Sequence, residues 1–139
     1  LGPATTSASE VEAQLADLMS APERVYTLES QGWRHDILVN ASTVARHVDP
    51  ARGQYLPLLL EALSDPYEVW LVFERHRGTG KVEIRQRMVK AVALPSGKDR
   101  GLLVVAQAAG GMLEAWTMLP VRQMAYLDKQ RVGRLVYGR

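Results

Sequence analysis

The chain has 139 residues, 47% of them hydrophobic and 23% charged, which is enough for one domain with a real core. It has no cysteine, so disulfides, thiolate catalysis and cysteine metal sites are excluded, and no apolar run approaches the roughly 20 residues of a spanning helix. The net charge of +2 conceals a division: residues 1–74 hold four basic and eleven acidic side chains, residues 75–139 thirteen basic and four acidic.

Residues 1–7 are small and turn-forming and are set aside as linker or disordered; residues 8–139 read as one domain. Ser7-Ala8-Ser9-Glu10 has capping-box spacing, and Val11, Leu15, Leu18 and Met19 mark one face of a helix that ends before Pro22. Arg24 to Leu28 and Trp33 to Val39 read as strands joined at Gln31-Gly32 into a hairpin. A short helix then opens with Asn40 or Ser42 as cap, carries Val44 and His47, and breaks at Asp49-Pro50. Leu58 to Leu63 form another helical stretch before Asp65-Pro66.

From there the pattern changes to strands, at Glu68 to Glu74, Lys81 to Leu94, Leu102 to Ala108 and Met112 to Leu119. The turns between them are Arg77-Gly78-Thr79-Gly80, Pro95-Ser96-Gly97-Lys98-Asp99 and Gly110-Gly111, and such tight turns favour an antiparallel meander. Pro120 is expected to begin a last helix running to about Gln130, and Gly133 to stop it before a terminal strand at Leu135-Val136-Tyr137. The expected class is α+β, with the helices in front covering one face of a twisted sheet.

His47 is the foremost candidate for chemistry. It sits on a short polar helix with Arg46, Asp49 and Arg52 close by in sequence, and an imidazole gives and takes protons near neutral pH. A surface or capping histidine is the bland alternative. His35, on a strand, is the candidate for a second acid–base partner, and His76 reads as loop surface. The three histidines are too scattered for a metal site, so no metal and no cofactor are expected.

Arg85 and Arg87, two apart on a strand, share a face, and with Lys90, Lys81 and Arg75 they suggest a basic strip suited to phosphate. Charges on a strand also protect a sheet edge from aggregation. Thr117 lies near the end of an otherwise apolar strand, where its hydroxyl can hold a phosphate oxygen, although threonine is also simply a good strand residue. Tyr137 stands near Arg134 and Arg139 and can stack on a base or serve the core. Neither a phosphate-binding loop nor a Gly-x-Ser-x-Gly elbow occurs.

Several strings occur in a recognisable order. Arg46-His47-Val48 is followed by Arg52, Tyr55-Leu56-Pro57-Leu58 and Leu63-Ser64-Asp65-Pro66-Tyr67-Glu68-Val69-Trp70. Ala115-Trp116-Thr117 and the stretch from Tyr126 to Tyr137 come later. Over about residues 33–139 this order resembles the phage-associated nuclease-like domains of the barnase–EndoU–colicin–RelE superfamily. Such domains occur at the end of Mu-type head-morphogenesis proteins and in bacterial polymorphic toxins.

The resemblance implies N-terminal helices on a four- to five-stranded antiparallel sheet, and metal-independent RNA cleavage by 2′-hydroxyl attack to a 2′,3′-cyclic phosphate. By position it makes His47 the helix-borne histidine and Thr117 the hydroxyl residue of the penultimate strand. It fits Arg87 and Tyr137 to phosphate-holding and terminal-strand roles, and with Arg52 and Arg85 they are the residues expected to bind substrate. It leaves the second acid–base group open among His35, a lysine and the substrate itself. It also implies RNA as substrate, with transfer RNA as one candidate, and a cognate immunity protein as partner. The site of action would be the cytoplasm of a target cell, reached as the C-terminal part of a larger secreted or phage protein. Two alternatives stand beside this reading: an inactive domain that binds RNA or a partner, and an ADP-ribosyltransferase toxin, since small α+β toxins with arginine-rich strands look alike in sequence.

Overall fold

The computed structural model describes the chain apart from residues 31, 32, 67, 76, 77, 94–98, 110, 111, 122–127, 132 and 139. The turns expected at 31–32, 95–98 and 110–111, the loop residue His76 and most of the expected last helix therefore lie outside the described residues.

Helix α1 (Ala8–Met19) begins where Ser7 Oγ accepts from the Glu10 amide, while the Glu10 carboxylate accepts from Thr6 N–H, satisfying donors at the helix start. It ends at Ser20, whose positive φ of 56° lets its N–H return to the carbonyls of Ala16 and Asp17. Strands β1 (Glu23–Ser30) and β2 (Trp33–Asn40) pair antiparallel over their whole length. Helix α2 (Ala41–His47) follows β2 directly, with Asn40 as cap: its side-chain oxygen accepts from the amides of Ser42 and Thr43. A 3-10 helix (Pro50–Tyr55), capped by Asp49, leads into α3 (Leu56–Ser64). The segment ahead of α1 lies against the 3-10 helix: Gly2 N–H donates to Gln54 O and Thr5 Oγ1 to Pro50 O.

Four strands follow, β3 (Glu68–Arg75), β4 (Val82–Ala93), β5 (Asp99–Ala109) and β6 (Met112–Val121), and the chain closes with β7 (Arg134–Gly138). They form one seven-stranded sheet in the order β1-β2-β6-β5-β4-β3-β7. The α+β class is as expected, but the sheet has seven strands rather than four or five. All seven strands were foreseen, but the N-terminal hairpin was not expected in this sheet; it joins by a short parallel pairing, Ile37 with Leu113 and Leu38 with Glu114. Pro120 also departs from expectation, standing inside β6 opposite Leu102 instead of opening a helix. It is tolerated because, among the described residues, β2 pairs with β6 only at Leu113 and Glu114, leaving this end of β6 with one side free of a described ladder. Residues 128–130 are helical, as the expected last helix required of its end.

The three α-helices cover one face. Val11, Leu15 and Met19 of α1, Val44 of α2 and Leu56, Leu59 and Leu63 of α3 pack on Ile37, Val39, Val69, Met88, Leu102, Val104, Ala106, Ala115 and Met118. Burying a side chain of this size contributes about 1.5–3 kcal/mol, so this face dominates stability. The sheet curls around it, since His35 of β2 hydrogen-bonds Gln86 of β4 across the two intervening strands. On the other face, Val89, Leu103 and Val121 form a smaller cluster with Trp70, Val105 and Leu119. Gly133 holds φ at +91°, and an added Cβ would lie 2.1 Å from the Leu71 carbonyl, so only glycine lets β7 come against β3 there. No helix among the described residues is long and apolar enough to cross a membrane.

Candidate nucleic-acid-cleaving site

The register sorts the candidate residues between the two faces, because side chains alternate along a strand and directly paired residues share a side. Trp70, Arg87, Val105 and Thr117 form one row across β3, β4, β5 and β6. Val72, Arg85 and Gln107 form the next row, which reaches Glu114 on β6. Both rows lie on the face away from the helices, beside the smaller apolar cluster. Their members on β4 to β6 are half-exposed.

β6 would not place Glu114 and Thr117 on one face if it alternated regularly. It carries a bulge: Val105 faces Thr117, but Ala106 faces Ala115, leaving Trp116 as the extra residue. A bulge re-aims side chains and strengthens local twist. Here two consecutive residues both reach His47. The Trp116 and His47 rings lie 3.8 Å apart between centroids at an interplanar angle of 44°, and Thr117 Oγ1 donates to the His47 carbonyl at 2.9 Å.

His47 is exposed in the last turn of α2. Its Nδ1 lies 2.8 Å from the Thr43 carbonyl, which can only accept. That bond puts a proton on Nδ1 and leaves Nε2 as the ring nitrogen not committed to it. The Trp116 indole N–H is shielded from solvent and has no acceptor among the described residues. Leaving such a donor unmet costs about 1–3 kcal/mol, so the indole keeps its place against His47 at the expense of its own hydrogen bond.

Arg87 shares the row of Thr117 two strands away, about 10 Å between backbones at the usual strand spacing. Its Nη1 donates to the Gln130 carbonyl at 3.3 Å. Next to it, the buried Glu68 carboxylate takes Arg131 Nε at 2.8 Å and Nη2 at 2.5 Å, and the Trp70 indole N–H at 2.8 Å. The Glu68 hydrogen bonds hold the Arg131 guanidinium above its already high ordinary pKa, so Arg131 stays cationic. Glu68 and Arg131 carried no distinguishing sequence signal, since only the fold brings residues 63 positions apart together.

The structure thus joins His47 to Thr117 and Trp116, and sets Arg85, Arg87 and Glu114 on the same sheet face as Thr117. Arg52 stands half-buried on the 3-10 helix five residues beyond His47. His35 is elsewhere: it stands on the helix-facing side of β2 with Ile37, engaged with the buried Gln86. Tyr137 pairs with Val69 and packs against the main core, on the side away from Arg87. Lys90 does not belong to the basic strip. Three positions from Arg87, it emerges on the helix side, where Nζ donates to Asp65 O at 2.7 Å and pairs with Asp65 and Glu61 at 3.2 and 3.3 Å. There it caps the C-terminal end of α3.

No curated protein and no solved structure matches the chain. One family model does, over residues 11–138, and it is described as phage-Barnase-EndoU-ColicinE5/D-RelE like nuclease2. With nearly the whole chain matched, the protein belongs to that family of nuclease-like domains.

Proposed function

We propose that this domain is an endoribonuclease that needs no metal, cutting RNA by attack of a ribose 2′-hydroxyl on the adjacent phosphate. The products are a 2′,3′-cyclic phosphate and a 5′-hydroxyl. The observation that carries the reading is the His47 cradle. Its Nδ1–H is committed to Thr43, its ring rests on Trp116, and its carbonyl is tied to Thr117, in the row that carries Arg87. An imidazole so held moves a proton at Nε2. Arg85 and Arg87 neutralise the charge that grows on the phosphorane, and Arg52 holds a flanking phosphate.

The biological setting in this reading is a toxin domain of a phage or secreted protein, with transfer RNA among its substrates and an immunity protein to restrain it. The basic second half of the chain and the nuclease family support nucleic acid over other polyanions. The test is incubation of purified protein with RNA in chelator, with mass analysis of the fragment ends. Cyclic-phosphate ends from the wild type and intact RNA with His47→Ala are expected. Tight, salt-sensitive RNA binding without fragments would instead mark a binding domain.

A further inference from the structure

We infer that Glu114 is the second acid–base group of the site, acting as the base while His47 acts as the acid; this rests on the proposed RNA cleavage. Attack by a 2′-hydroxyl needs one group to remove its proton and another to protonate the leaving 5′-oxygen. His47 supplies one, and His35 stands on the wrong face to supply the other.

The bulge of β6 supplies the candidate. Glu114 pairs with Gln107, Thr117 pairs with Val105, and Gln107 and Val105 are two apart on β5. Glu114 and Thr117 therefore share the face of Arg85 and Arg87, although they are three residues apart. Three residues of strand span at most about 10 Å, so Glu114 stands within that reach of the backbone of Thr117, whose hydroxyl holds the His47 carbonyl. Glu114 is half-exposed, and among the described residues it makes no hydrogen bond or ion pair. Glu68, on the same side, is committed to Arg131 and Trp70.

Residue chemistry assigns the roles. Carboxylates are ionised near neutral pH, whereas imidazoles are divided between their two forms there. The Glu114 carboxylate takes the proton of the 2′-hydroxyl as the O2′–phosphorus bond forms. The phosphorus–O5′ bond breaks, and Nε2–H of the His47 imidazolium gives its proton to the departing oxygen. Nδ1–H stays on the Thr43 carbonyl throughout.

The experiment compares single-turnover cleavage of two RNA oligonucleotides by wild type, Glu114→Gln and His47→Ala. One oligonucleotide has the natural 5′-oxygen at the scissile phosphate; the other has sulfur there and departs without an acid. Glu114→Gln is expected to lose roughly 100-fold or more on both substrates, while binding an uncleavable 2′-O-methyl oligonucleotide as the wild type does. His47→Ala is expected to fail on the oxygen substrate and recover on the sulfur one. Glu114→Gln within threefold of wild type overturns the assignment while leaving the cleavage reading intact, as does rescue of Glu114→Gln by sulfur. A wild type that cuts neither RNA defeats the cleavage reading, and this inference with it.

Discussion

Replacing Thr117 by valine removes one hydroxyl and almost no volume, and its consequences follow from one hydrogen bond. Thr117 Oγ1 donates at 2.9 Å to the carbonyl of His47, one of the last carbonyls of α2 and without a partner inside the helix. A hydrogen bond of this kind stabilises by about 1 kcal/mol. In a chain of this length that lowers the melting temperature by about 3 °C. The effect on activity is larger in proportion. The bond fixes the backbone of the residue proposed to move the proton, and misplacing a reacting group by about 1 Å costs up to roughly 100-fold. Thermal melting and RNA cleavage kinetics should therefore show a small stability loss with a tenfold or greater fall in kcat, and Thr117→Ser, which keeps the hydroxyl, should restore both. A valine variant with wild-type kcat and wild-type melting temperature would refute the reasoning.

Other expectations follow from single contacts. Trp116→Leu frees the His47 ring: kcat should fall with little change in KM, Trp116→Phe should retain most activity, and nitrogen NMR should show loss of the single Nδ1–H tautomer. Lys90→Met keeps the packing of a buried stem but leaves the end of α3 uncapped, so urea unfolding should show a loss of about 1–2 kcal/mol with RNA cleavage unchanged. Asp36 is held below its usual pKa, first by the hydroxyl of Thr27 and then by Arg34. Its contribution is present above the ordinary carboxylate pKa and is lost as pH falls through the lowered one. The melting difference between wild type and Thr27→Val should therefore be full near neutrality and vanish in strong acid.

Local signals in the sequence carried much of this fold, and long-range ones did not. The cap at Ser7, the helical spacing of Val11, Leu15 and Met19, and the runs that became β3 to β6 are short-range features, and each gave its element. The parallel pairing of β2 with β6 rests on two residue pairs some 76 positions apart and leaves no mark in either segment. The bulge at Trp116 is equally silent, and regular alternation would have put Glu114 and Thr117 on opposite faces. Lys90 was legible: an odd spacing from Arg87 already assigns it to the other side of a strand. His47 and Thr117 were found as residue types, but their contact, with the indole between them as support, is a product of the bulge.

The claim on which the rest depends is that RNA lies on the sheet face turned away from the helices, along the Thr117–Val105–Arg87 row. Backbone NMR with an uncleavable 2′-O-methyl oligonucleotide tests it directly. Amide shifts are predicted to concentrate at His47, Gln107, Glu114, Thr117, Arg85 and Arg87. Shifts confined instead to α1 and the β1–β2 hairpin, with that row unmoved, would contradict it.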